Sequence, residues 1–210
     1  MNHIFEFLFS QYKTYDTLDI VLELIAVVFT IASVWFSKRN NVLVFPTGMV
    51  STAIFVYLLL KWDLLGDMII NAYYFIMSLY GWYVWTTKVS DSNVTPISET
   101  TIKEKWISLL LGIGALIFIA LIYMTFNKFD SWTAYVDTFT TAIFFAGMWL
   151  MAKRKIENWL FWIVGNIITV PLYFYKGLTF SSLLYIVLTI IAIFGYKAWK
   201  KHLNNTLQTV

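Results

Sequence analysis

Cysteine is absent, and the two histidines, His3 and His202, both fall outside the apolar runs. Disulfides, a thiol nucleophile, a cysteine-held metal and a histidine-ligated haem in the spans are thereby excluded. Charge is scarce too: 13% of the 210 residues are charged, against about 25% in soluble domains. Hydrophobic residues make up 60% and aromatics 20%, so the chain reads as an integral membrane protein. An intramembrane enzyme would need a base, a nucleophile or a metal set within the spans, and the residues for the usual constellations are missing. No cofactor, metal or nucleic acid is asked for; the formal net charge of +3 reads as a topology signal.

What is present is a series of seven apolar runs, at 18–36, 42–60, 68–85, 106–126, 132–152, 159–175 and 178–199. Each has roughly the ~17–25 residues that cross a bilayer as a helix. With the N-terminus outside, eleven of the fifteen Lys and Arg fall in inner segments, while Lys13, Lys61, Lys128 and Lys176 stay outside. Such a bias predicts an outer N-terminus and a cytoplasmic C-terminus. Ile4, Phe5, Leu8, Phe9 and Tyr12 recur at helical spacing without a basic leader or cleavage site, which predicts an interfacial segment over 1–17 and not a signal peptide.

The runs repeat. An offset of 114 pairs Trp35 with Trp149, Gly81 with Gly195 and Trp85 with Trp199; in the middle an offset of 117 pairs Asn41 with Asn158, Gly48 with Gly165 and Thr52 with Thr169. One span separates the units, and an odd number restores the orientation. The expected fold is all-α and membrane-integral: two parallel three-helix repeats, 18–88 and 131–201, joined by a loop and linker helix over 89–130, with a cytoplasmic tail over 202–210. Parallel repeats are one of the two plans of secondary transporters, with the site near the midplane between them.

Polar side chains within a span are costly in lipid and turn toward a partner or a cavity. Asp67, Asn71, Tyr74 and Ser78 in the third span recur at steps of four, three and four, which is one helical face. Trp159, Trp162, Asn166, Thr169 and Tyr173 do the same in the sixth. Thr47 and Ser51 come from the second span, Asp137 and Thr141 from the fifth, and Ser182, Tyr185 and Thr189 from the seventh. The candidate binding set is Trp162, Asn166, Asn71, Asp67, Tyr74, Tyr185, Thr47 and Thr141. Such a lining suits a flat ring bearing a polyol: aromatic faces stack a ring, more strongly if it is cationic, and amides and hydroxyls bond sugar hydroxyls.

Plainer readings compete. Small polar residues also bond helix to helix, and Trp82, Trp85, Trp159 and Trp199 stand near span ends, where an interfacial aromatic belt is expected. Asp67, Asp137 and Glu157 sit at span entrances, where solvation accounts for them. Glu23 is either a buried functional carboxylate or one that snorkels outward. Pro46 and Pro171 fall in the second and sixth spans, where a proline bends a helix, so a matched pair of kinks is expected.

Three stretches carry a likeness: ENWLFWIVGN at 157–166, VPLYFYKGL at 170–178, and 67–74 followed by Tyr80-Gly81-Trp82-Tyr83. They resemble the Pnu family of bacterial inner-membrane vitamin transporters, a family related in fold to the SWEET sugar carriers. The resemblance extends over about residues 18 to 201 and implies uptake of an intact vitamin precursor, nicotinamide riboside first, by facilitated diffusion. It also implies trapping by a cytosolic kinase and a homotrimer with one site per protomer. Trp162 and Asn166 match the ligand-binding stretch, with Asp67, Asn71 and Tyr185 as further transfers. Thiamine and riboflavin carriers share the scaffold. A proton-coupled symporter acting through Glu23, Asp67 or Asp137 is another alternative, and a non-transporting receptor or assembly protein on a carrier fold a third.

Overall fold

The computed structural model describes residues 16–90, 93–129, 131–176 and 179–208. The expected interfacial segment therefore lies, up to residue 15, outside the described residues. Among the described residues seven helices follow one another: α1 (Thr17–Lys38), α2 (Val44–Lys61), α3 (Leu65–Thr86), α4 (Ile102–Thr125), α5 (Trp132–Ala152), α6 (Asn158–Tyr175) and α7 (Thr179–Gln208). A small antiparallel hairpin, β1 (Lys88–Ser90) with β2 (Asn93–Val94), interrupts the helical order. Among the described residues, α1, α2, α4, α5 and the stretch Ser181–Asn205 of α7 are long and apolar enough to cross a membrane. Helices α3 and α6 fall below that measure because they carry the amide, hydroxyl and aromatic faces noted above. Helix α7 continues through the segment expected as a tail, as far as Gln208.

The repeat is visible in backbone detail. Shifting α2 by 114 residues superposes its first and last positions on those of α6, and Leu65, which opens α3, falls on Thr179, which opens α7. Helices α1 and α5 end the same way. Asn40 (φ 53°) and Arg154 (φ 55°) take left-handed backbone, and the amides of Asn41 and Lys155 reach back to the carbonyls of Phe36 and Leu150, each at 2.9 Å. This is the closure by which a helix satisfies its last carbonyls and turns the chain.

The register of 117 expected for the middle helices is not realised. At 114, Phe45 corresponds to Trp159, and each ring lies on the glycine of the following helix. A Cβ on Gly81 would come within 2.3 Å of Phe45, and one on Gly195 within 2.6 Å of Trp159. In lipid no hydrophobic force draws helices together, so such close fits supply the cohesion. The proline pair also fails to match: Pro46 sits in the first turn of α2, where its missing N–H has no helical partner to lose, and Pro171 alone lies inside its helix.

Between repeats, α1 packs on α7 and α3 on α5, the exchange that a pseudo-two-fold axis requires; α4 packs outside, on α5. Tyr73 marks the α3–α5 contact, stacked on Phe145 (3.8 Å, 6°) and donating from its hydroxyl to the Phe145 carbonyl at 3.0 Å.

One end of the bundle is closed by tryptophans. Trp85, Trp159 and Trp199 are almost wholly buried, which corrects their expected place in an interfacial belt. Phe45 meets Trp85 edge-on (5.0 Å, 87°) and Trp159 meets Trp199 edge-on (5.6 Å, 89°), again at the 114 offset. Trp85 and Trp199 then close across the axis at 5.9 Å. The segment before α4 straps this end. Ser98 exchanges backbone bonds with Arg154 and Ile156, the Thr100 amide donates to the Glu157 carboxylate, and Ile97 is buried in the tryptophan cluster. Arg154 donates to the Thr95 carbonyl and lies 4.1 Å from the Trp85 ring centroid; burial pulls its guanidinium down to about 10.

Candidate functional site

Above the tryptophans, a cavity of ≈ 260 Å³ runs between the repeats. Its walls contain both members of several pairs related by the 114 offset: Glu23 and Asp137, Thr30 and Phe144, Gly48 and Trp162, Thr52 and Asn166, Asn71 and Tyr185, Ser78 and Ala192. A cavity lined by equivalent positions of two repeats lies on the axis that relates them.

Seven of the eight candidate residues face this space: Trp162, Asn166, Asn71, Asp67, Tyr74, Tyr185 and Thr141. Thr47 is the exception. It is not among the lining residues, and its hydroxyl donates to the Leu43 carbonyl of its own helix at 2.6 Å. Sequence reasoning missed Thr30, Ser33 and Ser37 on α1, although their steps of three and four mark a polar face of the same kind. It also missed Phe144, whose apolar side chain carries no signal against an apolar background.

The two sides differ in chemistry. From α1, α2 and α3 come hydroxyls: Thr30 Oγ1 and Ser51 Oγ lie 2.6 Å apart, Ser51 donates to the Ala26 carbonyl at 2.9 Å, and Ser33 donates to the Val44 carbonyl at 2.7 Å. Each keeps lone pairs free to accept a further bond. From α5, α6 and α7 come most of the rings, beside the hydroxyls of Thr140, Thr141 and Thr169, while Phe55 and Tyr74 add rings on the first side. Phe144 stacks on Trp162 (5.5 Å, 28°) and on Tyr185 (6.2 Å, 22°); Tyr74 approaches Trp162 from α3 at 5.7 Å, and Tyr173 meets Tyr185 edge-on at 5.2 Å.

Amides punctuate both walls. Asn71 Nδ2 donates to the Asp67 carbonyl one turn back, at 2.8 Å. Asn166 is 3% exposed, and its side chain makes no hydrogen bond to another described residue, which leaves a full set of donors and acceptors directed at the cavity.

Carboxylates gather at the end away from the tryptophans. Tyr173 donates to Asp67 Oδ1 at 2.9 Å, tying α6 to α3 across the axis, and Lys176 pairs with Asp137. Glu23, Asp67 and Asp137 all line the cavity, whereas no Lys or Arg does among the described residues. A second cavity of ≈ 210 Å³ shares Leu64, Asp67 and Asp137 with the first and adds Tyr123, Lys128 and Lys176. The arrangement can hold a small solute with an apolar flat part and a hydroxylated part.

Comparison with known proteins agrees with this geometry. A profile of the family described as nicotinamide mononucleotide transporter matches residues 20–201. The chain belongs to this family. Relatives include the nicotinamide riboside transporter PnuC of Escherichia coli strain K12, 23% identical, with 72% of this chain and 73% of the relative covered. The riboflavin/roseoflavin transporter RibM of Streptomyces davaonensis is 25% identical, over 59% of this chain and 58% of its own. The solved structure of the vitamin B3 transporter PnuC superposes with a TM-score of 0.66 at 21% identity, covering 94% of this chain and 88% of that one. That likeness establishes the fold. The protein is a multi-pass Pnu-type vitamin transporter and not an enzyme.

Proposed function

We propose that the chain takes up nicotinamide riboside across the bacterial inner membrane by facilitated diffusion, and that a cytosolic kinase makes uptake one-way by phosphorylating the product. The observation that carries this reading is the two-sided lining of the axial cavity. Rings of the second repeat suit a pyridinium, hydroxyls of the first suit its ribose, and the amides of Asn71 and Asn166 suit a carboxamide.

Charge and size sharpen it. Glu23, Asp67 and Asp137 line the cavity while Lys176 offsets Asp137 from beside it; the negative balance favours a cation, and a phosphate would meet like charge in a poorly solvated space. This supports the nucleoside over the mononucleotide of the family's description. The ≈ 260 Å³ volume falls below the about 300–1,000 Å³ usual for drug-sized ligands, which supports a single ring over the larger flavin.

The bias of Lys and Arg supports an outer N-terminus, and in this reading the Asp67 end faces out and the tryptophan plug faces the cytosol. Release then requires the repeats to part at the plug. The indole N–H groups of Trp85 and Trp159 are buried there without an acceptor among the described residues, a strain of about 1–3 kcal/mol each that favours opening. Candidate site residues Trp162, Asn166, Asn71, Asp67, Tyr74, Tyr185 and Thr141 act together in this proposal, and one such site serves each protomer of a homotrimer.

Uptake of labelled nicotinamide riboside into sealed proteoliposomes tests the proposal. Flux should equilibrate, respond to unlabelled riboside but not to the mononucleotide, and be unchanged by a pH gradient. Acceleration by an inward proton gradient would instead favour symport through Glu23, Asp67 or Asp137.

A further inference from the structure

The aromatic wall owes its position to one missing side chain. Gly165 on α6 faces Phe144 on α5 so closely that a Cβ there would lie 2.3 Å from the ring. The ring is 5% exposed and sits between Trp162 and Tyr185, nearly parallel to both. At the two-fold-related position the same pair of residues is Thr30 and Ser51, joined through hydroxyls at 2.6 Å. The frame therefore accepts either a ring on a glycine or a hydroxyl pair at this level, and the second repeat carries the bulky solution.

We propose that the Phe144–Gly165 pair is a size gauge that sets the width of the cavity and admits unfused rings while excluding fused three-ring vitamins. Phe144 is held from behind by the surface of Gly165 and from the sides by Trp162 and Tyr185, so it has no neighbouring space into which to withdraw. A wide tricycle would have to displace it. Shortening the side chain removes the obstacle and also removes one face of the stack that holds a single ring. A methyl at position 165 works in the opposite direction, by driving the ring into the cavity.

This inference rests on the small-ring reading of the site, and the test separates the two. Affinities for nicotinamide riboside, thiamine and riboflavin are measured by calorimetry on the purified wild type, Phe144→Ala, Phe144→Leu and Gly165→Ala. Phe144→Leu guards against a misfolded alanine variant, with thermal unfolding as the check on each. The wild type should prefer a single-ring ligand. Both Phe144 variants should shift the ratio of riboflavin to single-ring affinity upward by roughly tenfold or more, the scale on which apolar pockets discriminate. Gly165→Ala should weaken every ligand.

An unchanged ratio in folded Phe144→Leu would overturn the gauge and leave the proposed substrate intact. A wild type that prefers thiamine to nicotinamide riboside would overturn the substrate and leave the gauge supported. One that prefers riboflavin would overturn both. A residue of merely structural importance would lower all affinities together and could not produce a gain for the larger ligand.

Discussion

Thr30 and Phe144 occupy the same place in their repeats, yet one hydrogen-bonds a serine and the other stacks between a tryptophan and a tyrosine. Gly48 and Trp162 are a second such pair, and Asn71 and Tyr185 a third. Elsewhere in the frame the repeats stay alike: the chain turns through one left-handed residue after α1 and after α5, and a ring lies on a glycine at Gly81 and Gly195. The halves thus share their frame and weight the chemistry of the cavity differently, with more hydroxyls in the first and more rings in the second. A symmetric lining would offer a solute two equivalent poses. The divided lining gives a molecule with one flat end and one hydroxylated end a single orientation.

That division can be broken one pair at a time. Trp162→Ala should weaken nicotinamide riboside binding by roughly 100-fold, combining lost area with lost cation–π attraction. Its counterpart change, Gly48→Ala, meets the Ser33 hydroxyl at 3.1 Å and the Ser78 hydroxyl at 3.5 Å, and calorimetry should register about threefold or less. Equal losses from both would show that the walls are not divided. Next in size are the shared packing sites. Gly81→Ala and Gly195→Ala should each destabilise the folded protein by about 1–3 kcal/mol through overpacking, and denaturation that spares one of them would mean that the frame is less symmetric than described.

Asn166→Ala should cost roughly tenfold in affinity, the scale of one good hydrogen bond. Thr52→Val, its mate, should cost less because the Thr52 hydroxyl already donates to the Gly48 carbonyl at 2.8 Å. A comparably small effect is expected of Ser51→Ala: about threefold for the riboside and none for nicotinamide lacking the sugar. A matching loss for both ligands would take the ribose off this wall.

Much of the frame was legible in the residues. The matched glycines announce the repeat because a Cβ at Gly81 or Gly195 would strike the ring of the preceding helix, whether that ring is Phe45 or Trp159. The register of α2 against α6 was not legible, because Gly48 and Thr52 align by residue type with Gly165 and Thr169 while the backbone aligns them with Trp162 and Asn166. Identity of residue type misleads where two repeats have traded roles. Pro46 was misplaced for a related reason: a proline marks a kink only if the helix has already begun. For the site, steps of three and four along α3 and α6 selected residues that do meet at the axis. Thr47 shares a span with Ser51 but faces elsewhere. Phe144 could not be told from a lipid-facing ring, since in an apolar sequence burial against Gly165 leaves no pattern of its own.

The most direct test of the divided cavity is a structure of the protein determined with nicotinamide riboside bound. Ligand density between the repeats, with the pyridinium against Trp162 and Phe144 and the ribose toward Thr30, Ser33 and Ser51, is the result expected. Density outside this cavity, or a ribose lying on the aromatic wall, would contradict the account.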